Sequence, residues 1–208
     1  LLRPSCVIAI LALAMGTSSP LELTAGSIKY DQTPGDMLWP GGRIPYVFKD
    51  DVNDDMRKVF KLACRAWQRI GNFRFVPTTQ NLVHVSPDGA FVEVQRNNLP
   101  YDPNYAWIGR CGYLGYPWTG MQPFSVSDDH WFGPLVLHEL GHVIGFIHEQ
   151  MRIDRDNFIV LDWDQINGFT GINFNIEHKS WAFSAYDFQS VMHYRNDAFR
   201  DDWKKGLS

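Results

Sequence analysis

Three histidines, one glutamate and a turn-forming glycine fall within the run His138-Glu139-Leu140-Gly141-His142-Val143-Ile144-Gly145-Phe146-Ile147-His148. Residues four apart sit one above the other on a helix face, so His138 and His142 can turn their rings to one metal ion from consecutive turns. Glu139 lies about 100° further round, near enough to reach a water at that metal without ligating it. His148 follows His142 by six residues, a step that one helical face does not accommodate. Gly145 accounts for it: glycine can take a positive φ and end the helix, so the chain turns back and brings His148 under the metal. Three neutral imidazoles leave a fourth tetrahedral position open, as at a catalytic zinc ion. A structural zinc is closed by four protein ligands, often cysteines, and none stands nearby. The run predicts one zinc ion per chain, held by His138, His142 and His148, and a hydrolytic chemistry.

The flanks agree. Gly133-Pro134 precedes the run, and proline suits a first helical position. Leu135, Val136, Leu137, Leu140, Val143 and Ile144 are apolar almost all round, the pattern of a buried helix. Ionisable groups there are costly unless they are paired or bind metal. A bare HExxH arises often by chance, and the added Gly145 and His148 make the longer pattern far more specific. A second signal stands downstream in Ser190-Val191-Met192-His193-Tyr194. In the metzincins, the peptidases that carry the longer pattern, a methionine turn lies beneath the metal, where a soft thioether packs well under rings. Alone, Met192 would read as ordinary core.

With these two stretches stand Arg155-Asp156, Tyr186-Asp187-Phe188 and, near the start, Leu38-Trp39-Pro40-Gly41-Gly42-Arg43-Ile44-Pro45-Tyr46. Together they resemble the astacin family of metzincins from about Gly35 onward. Within the class, Glu149 directly after the third histidine and Tyr194 two residues after the methionine are the distinguishing marks. The resemblance implies an α+β, metzincin-like catalytic domain of two lobes. A twisted mixed sheet and two long helices would form the N-terminal lobe, and the C-terminal lobe would be mostly irregular with the Met turn. It implies Glu139 as general base and Tyr194 as an extra zinc ligand at rest, swinging away to hydrogen-bond the oxyanion. Glu149 would pair with the mature amino terminus, and Gly145 and Met192 would support the site. Proteins or peptides would be the substrates, held by main-chain pairing to an edge strand for which Gly112 to Tyr116 is the candidate.

The pattern departs from the family at its cysteines. Astacins usually have two disulfides, but the mature region here offers only Cys64 and Cys111. Asn72 and Asp129 occupy places where the family commonly has cysteine, so neither usual bridge is expected. Cys64 shares a helical face with Phe60 and Trp67 and reads as core.

Net charge is −4 and no basic stripe is visible along the sequence, which argues against a nucleic-acid partner. Arg3, the apolar run Val7 to Ala14 and the small residues Gly16 to Ser19 read as a secretory signal peptide over 1–19. That run is too short to span a bilayer. A secreted, extracellular monomer without a membrane span is expected. Residues 20–35 read as a short pro-segment or N-terminal extension, and 36–208 as the catalytic domain. Apolar periodicity predicts a helix over 52–70 ended by Gly71. Short strands are predicted over 73–76, 82–85, 91–94 and 125–126. Two other readings compete: a non-catalytic relative that kept the zinc site, and a structural protein in which the motif is incidental. The first would usually lose the base or a ligand, and the second must treat the helix motif and the methionine turn as two separate accidents. A carboxylate as third ligand is disfavoured by His148 at the three-histidine spacing.

Overall fold

The apolar spacing Met56, Phe60, Ala63, Cys64 and Trp67 gives one buried stripe, and it forms the first helix, α1 (Asp54–Ile70). Asn53 caps its first turn by accepting the Met56 N–H, with Asp54 and Asp55 beside the positive helix end. Gly71 ends it, as the sequence predicts. The computed structural model describes residues 26–29, 38–78, 90–97, 105–106, 120–166 and 171–194. The expected leader, the strand over 82–85, the candidate edge Gly112 to Tyr116, and Cys111 lie outside the described residues.

Among the described residues a five-stranded mixed sheet carries α1. Its order is β3 (Arg74–Pro77), β2 (Arg43–Phe48), β4 (Phe91–Asn97), β6 (Met121–Ser127), β5 (Tyr105–Ala106). The first four run parallel, and β5 pairs antiparallel to β6. The strands expected near 73–76, 91–94 and 125–126 are present, the last longer than predicted, while β2 was not anticipated. Its Pro45 and the Pro123 of β6 each lack a ladder N–H, which weakens the strand signal at both.

Phe60 of α1 meets Tyr46 and Phe124 with ring centroids 5.1 and 5.2 Å apart, joining helix to sheet in a core of Ile44, Val92, Val94, Phe124 and Val126. The second helix, α2 (Gly133–Ile144), packs against α1. Trp67 of α1 donates its indole N–H to the Leu137 carbonyl at 2.9 Å. Trp39 does the same to the Val143 carbonyl at 2.7 Å, satisfying one of the last carbonyls that a helix end leaves orphaned.

Among the described residues, the chain after α2 is mostly irregular. Short 3₁₀ turns at Glu149–Met151, Arg155–Asn157, Trp163–Gln165 and Gly171–Phe174 are its regular pieces, together with β7 (Ser180–Ala182). β7 pairs antiparallel with β1 (Ser27–Lys29). The polar stretch read as an N-terminal extension thus contributes a strand, with Ile28 buried. The expected α+β class is present: a mixed sheet with two long helices, followed by a mostly irregular stretch. Cys64 is a free, buried thiol in the core. No helix among the described residues is long and apolar enough to cross a membrane.

Candidate metal centre

α2 is buried through Val136, Leu140, Val143 and Ile144, so it holds His138 and His142 rigidly on one face. Gly145 takes φ +126°, and its N–H reaches back to the carbonyls of Gly141 and His142, which closes the helix and reverses the chain. The reversal brings His148 to the other two rings. His148 Nε2 lies 3.2 Å from His138 Nε2 and 3.1 Å from His142 Nε2. Three nitrogens on a tetrahedral zinc at the usual Zn–N length stand about 3.3 Å from one another, so the cluster has the spacing a zinc ion requires.

The outward nitrogens fix which ring atoms face the metal. His138 Nδ1 lies 2.7 Å from the Val191 carbonyl and His142 Nδ1 2.8 Å from the Phe146 carbonyl. A carbonyl only accepts, so each Nδ1 carries the proton and each Nε2 presents a lone pair inward. Burial lowers the pKa of all three rings, to about 3 at His142 where the neighbouring His138 adds to it. The rings are therefore neutral at pH 7, as metal ligation needs.

Glu139 is buried, and burial pushes its pKa up to about 8. Tyr194 packs on His148 with ring centroids 4.4 Å apart. Burial, reinforced by the charge of Glu139, raises its hydroxyl to about 12. Met192 is buried beneath the helix, against Gly141. Glu149 is fully buried: one carboxylate oxygen accepts from Arg152 at 2.9 Å and from the Asp187 N–H at 3.0 Å. Its other oxygen is buried with no partner among the described residues, and burial raises its pKa. The three histidines thus come together, with Tyr194 packed on His148, Met192 against Gly141, and the Glu149 N–H donating to the Met192 carbonyl at 2.9 Å.

A family model for astacin, peptidase family M12A, matches residues 31–207. The chain belongs to the astacin family. Human tolloid-like protein 1 is 33% identical over 165 residues, 78% of this chain and 15% of that protein. Zinc metalloproteinase nas-8 of Steinernema carpocapsae is 34% identical over 164 residues, 77% of this chain and 35% of that protein. The chain therefore spans well under half the length of these relatives. The structure of high choriolytic enzyme 1, a hatching enzyme zinc-protease from Oryzias latipes, superposes with a TM-score of 0.67 at 27% identity, covering 84% of this chain and 82% of that one.

This astacin domain also uses residues that the sequence reading passed over. A Cβ placed on Gly141 would collide with the Met192 sulfur and stand 3.2 Å from the Trp67 ring, so the first glycine of the run is a contact point. Arg152, fully buried, holds Glu149 while donating to the carbonyls of Ala185 and Ser184. Gln150, buried beside it, accepts the Tyr194 N–H at 3.0 Å. Their signal in the sequence is faint: polar residues directly after the third histidine, in a stretch with no regular period.

Proposed function

We propose that this astacin domain is a secreted, zinc-dependent endopeptidase that hydrolyses peptide bonds in proteins. One observation carries the reading: three histidine Nε2 atoms converge at tetrahedral spacing beside a buried carboxylate. The donor set fits zinc, with neutral imidazoles and, among the described residues, no cysteine joining them. The likeness to nas-8, a zinc metalloproteinase, and to the hatching enzyme, a zinc-protease, supports it.

When bound, zinc supplies Lewis-acid chemistry, acidifying water and polarising a carbonyl. Glu139 takes the proton of the attacking water on its carboxylate and hands it to the leaving amine. Burial alone raises its pKa to about 8; a dication beside it would favour the ionised form and leave the carboxylate free to accept the proton. Tyr194 would be an extra ligand to zinc at rest and would turn to donate its hydroxyl to the oxyanion; off the metal, burial holds that hydroxyl at about 12, protonated at pH 7. Glu149, with one buried oxygen unmatched, receives the amino terminus that processing creates. Residues 1–19 would direct secretion, 20–35 form the extension that includes β1, and 36–208 the catalytic domain of a monomer.

Casein or gelatin cleavage by the processed protein tests this, beside Glu139→Ala, with 1,10-phenanthroline and zinc add-back. Cleavage should stop with chelator, return with zinc and fall by roughly 10²–10⁴-fold in the variant, which should keep its zinc. Equal turnover by Glu139→Ala would sink the scheme.

A further inference from the structure

The segment from Ser190 to Tyr194 has no helix or strand to hold it, yet both polar groups of the Tyr194 backbone are taken by side chains. On one side its N–H donates to Gln150 Oε1 at 3.0 Å, across 44 residues of chain. Gln150 is 1% exposed. A primary amide buried that deeply is costly unless hydrogen-bonded, and its Nε2 faces the Asn173 carbonyl at 3.4 Å. Its backbone carbonyl accepts from the buried Arg155 at 2.9 Å, so the residue is held through both main chain and side chain. On the other side, the Tyr194 carbonyl lies 2.6 Å from His193 Nδ1. That nitrogen must therefore carry the proton, and in the neutral ring Nε2 accepts the Tyr186 hydroxyl at 2.7 Å. Tyr186 is itself fixed, stacked on Phe158 with centroids 4.8 Å apart and with Arg152 over its ring.

We propose that Gln150 is a positioning residue for Tyr194, with the Tyr186–His193 pair as the second arm of the same clamp. A side chain that moves between two positions by rotating about its own bonds reaches both only if its backbone stays still. The clamp supplies that fixed pivot in a stretch that secondary structure leaves free. The inference rests on the proposed role of Tyr194. Misplacing a reacting group by about 1 Å costs up to roughly 10²-fold in rate, so loss of the clamp lowers kcat and leaves substrate binding and zinc content alone.

Two variants test it. Gln150→Met keeps an unbranched side chain of similar length and removes the acceptor. Tyr186→Phe keeps the ring packing and removes the hydroxyl that bonds His193 Nε2. Both are measured in the zinc protein for kcat and KM, and in the copper(II)-substituted protein for the phenolate-to-copper charge-transfer band, with Tyr194→Phe as reference. Expected for Gln150→Met are unchanged zinc stoichiometry, KM within about threefold, kcat lower by roughly 10–100-fold and a weakened band. Tyr186→Phe should move both readouts in the same direction by less. If Tyr194→Phe loses band and rate while Gln150→Met keeps both, the clamp is overturned and the role of Tyr194 survives. If Tyr194→Phe changes neither, the role of Tyr194 fails and takes the clamp with it. Should Gln150→Met not fold, an unchanged band and kcat in Tyr186→Phe overturns the proposal by itself.

Discussion

At the scale of single residues, the metal site asks its side chains for protonation states that water would not give them. Burial lowers the pKa of His138, His142 and His148 from the ordinary 6.5, and the mutual proximity of the rings adds to it at the last two. Below about pH 6.5 the unfolded chain takes up protons that the folded rings refuse, so these groups make stability fall as pH drops. Glu139 works the other way. Raised by burial from 4.5 to about 8, it holds in the folded chain a proton that the unfolded chain has lost. Stability therefore falls as pH rises through that window, and Glu149, also raised by burial, adds to the slope. Between about pH 5 and 6.5 three rings outweigh the carboxyls; above it the carboxyls act alone. The metal-free protein should thus show a urea midpoint that peaks at about pH 6.5–7, and Glu139→Gln should flatten the alkaline decline and steepen the acid limb, where Glu139 opposes the rings. A wild-type midpoint that climbs steadily to pH 8 would contradict this assignment. The meeting of His138 and His142 was legible because helix geometry fixes which residues four apart meet. Gln150 and Arg152 were not, because their partners lie 44 and 33 residues away along irregular chain.

At the scale of elements, α2 is where sequence and structure agree best, since Pro134, the apolar periodicity and Gly145 mark its start, face and end. The strands β2 and β6 were harder to read, because Pro45 and Pro123 interrupt the local pattern and the cost is met by pairing with distant strands. β1 and β7 were illegible for a related reason: each is three residues long and exists only through the other. Two glycines in the zinc run now have separate tasks that substitution distinguishes. Gly145→Ala puts a Cβ at φ +126°, a strain of about 1–2 kcal/mol, and it shifts the turn that carries His148. Zinc affinity, read by competition with a chromophoric chelator, should fall by at least about tenfold, a change of about 1.4 kcal/mol. Gly141→Ala gains about 1 kcal/mol of helix propensity, but its Cβ meets Met192 and the Trp67 ring. Overpacking a core costs about 1–3 kcal/mol, so the balance favours destabilisation and Tm should drop. A rise in Tm would mean that Met192 yields its place freely.

At the scale of the whole molecule, the strand β1 acts as a clasp on the irregular lobe that carries the third histidine. Its Ser27 carbonyl accepts the Ile147 N–H at 3.0 Å, next to His148, and Ile28 bridges to Phe146. Its other edge pairs with β7, and the Gly26 N–H donates to Ser184 Oγ at 2.6 Å. Ser184 in turn offers its carbonyl to Arg152, the residue that holds Glu149. There is no room for a side chain at Gly26, where a Cβ would stand 2.6 Å from the Phe146 ring. Four chain segments far apart in sequence thus meet at β1: the extension, the turn after α2, the Glu149–Arg152 pair and β7. The lobe has little regular structure of its own, so this junction carries much of its order. Ile28 is 6% exposed, and truncating a buried isoleucine costs about 2–5 kcal/mol. Ile28→Ala should therefore lower global stability by that amount. It should also speed limited proteolysis within 171–194 and accelerate zinc loss to a chelator, because loosening β1 loosens the backbone beside His148. A cost below about 0.5 kcal/mol, the range of an ordinary surface change, with unaltered proteolysis and zinc release, would instead show that β1 rests on the surface and that the lobe is held by the Arg152 network alone.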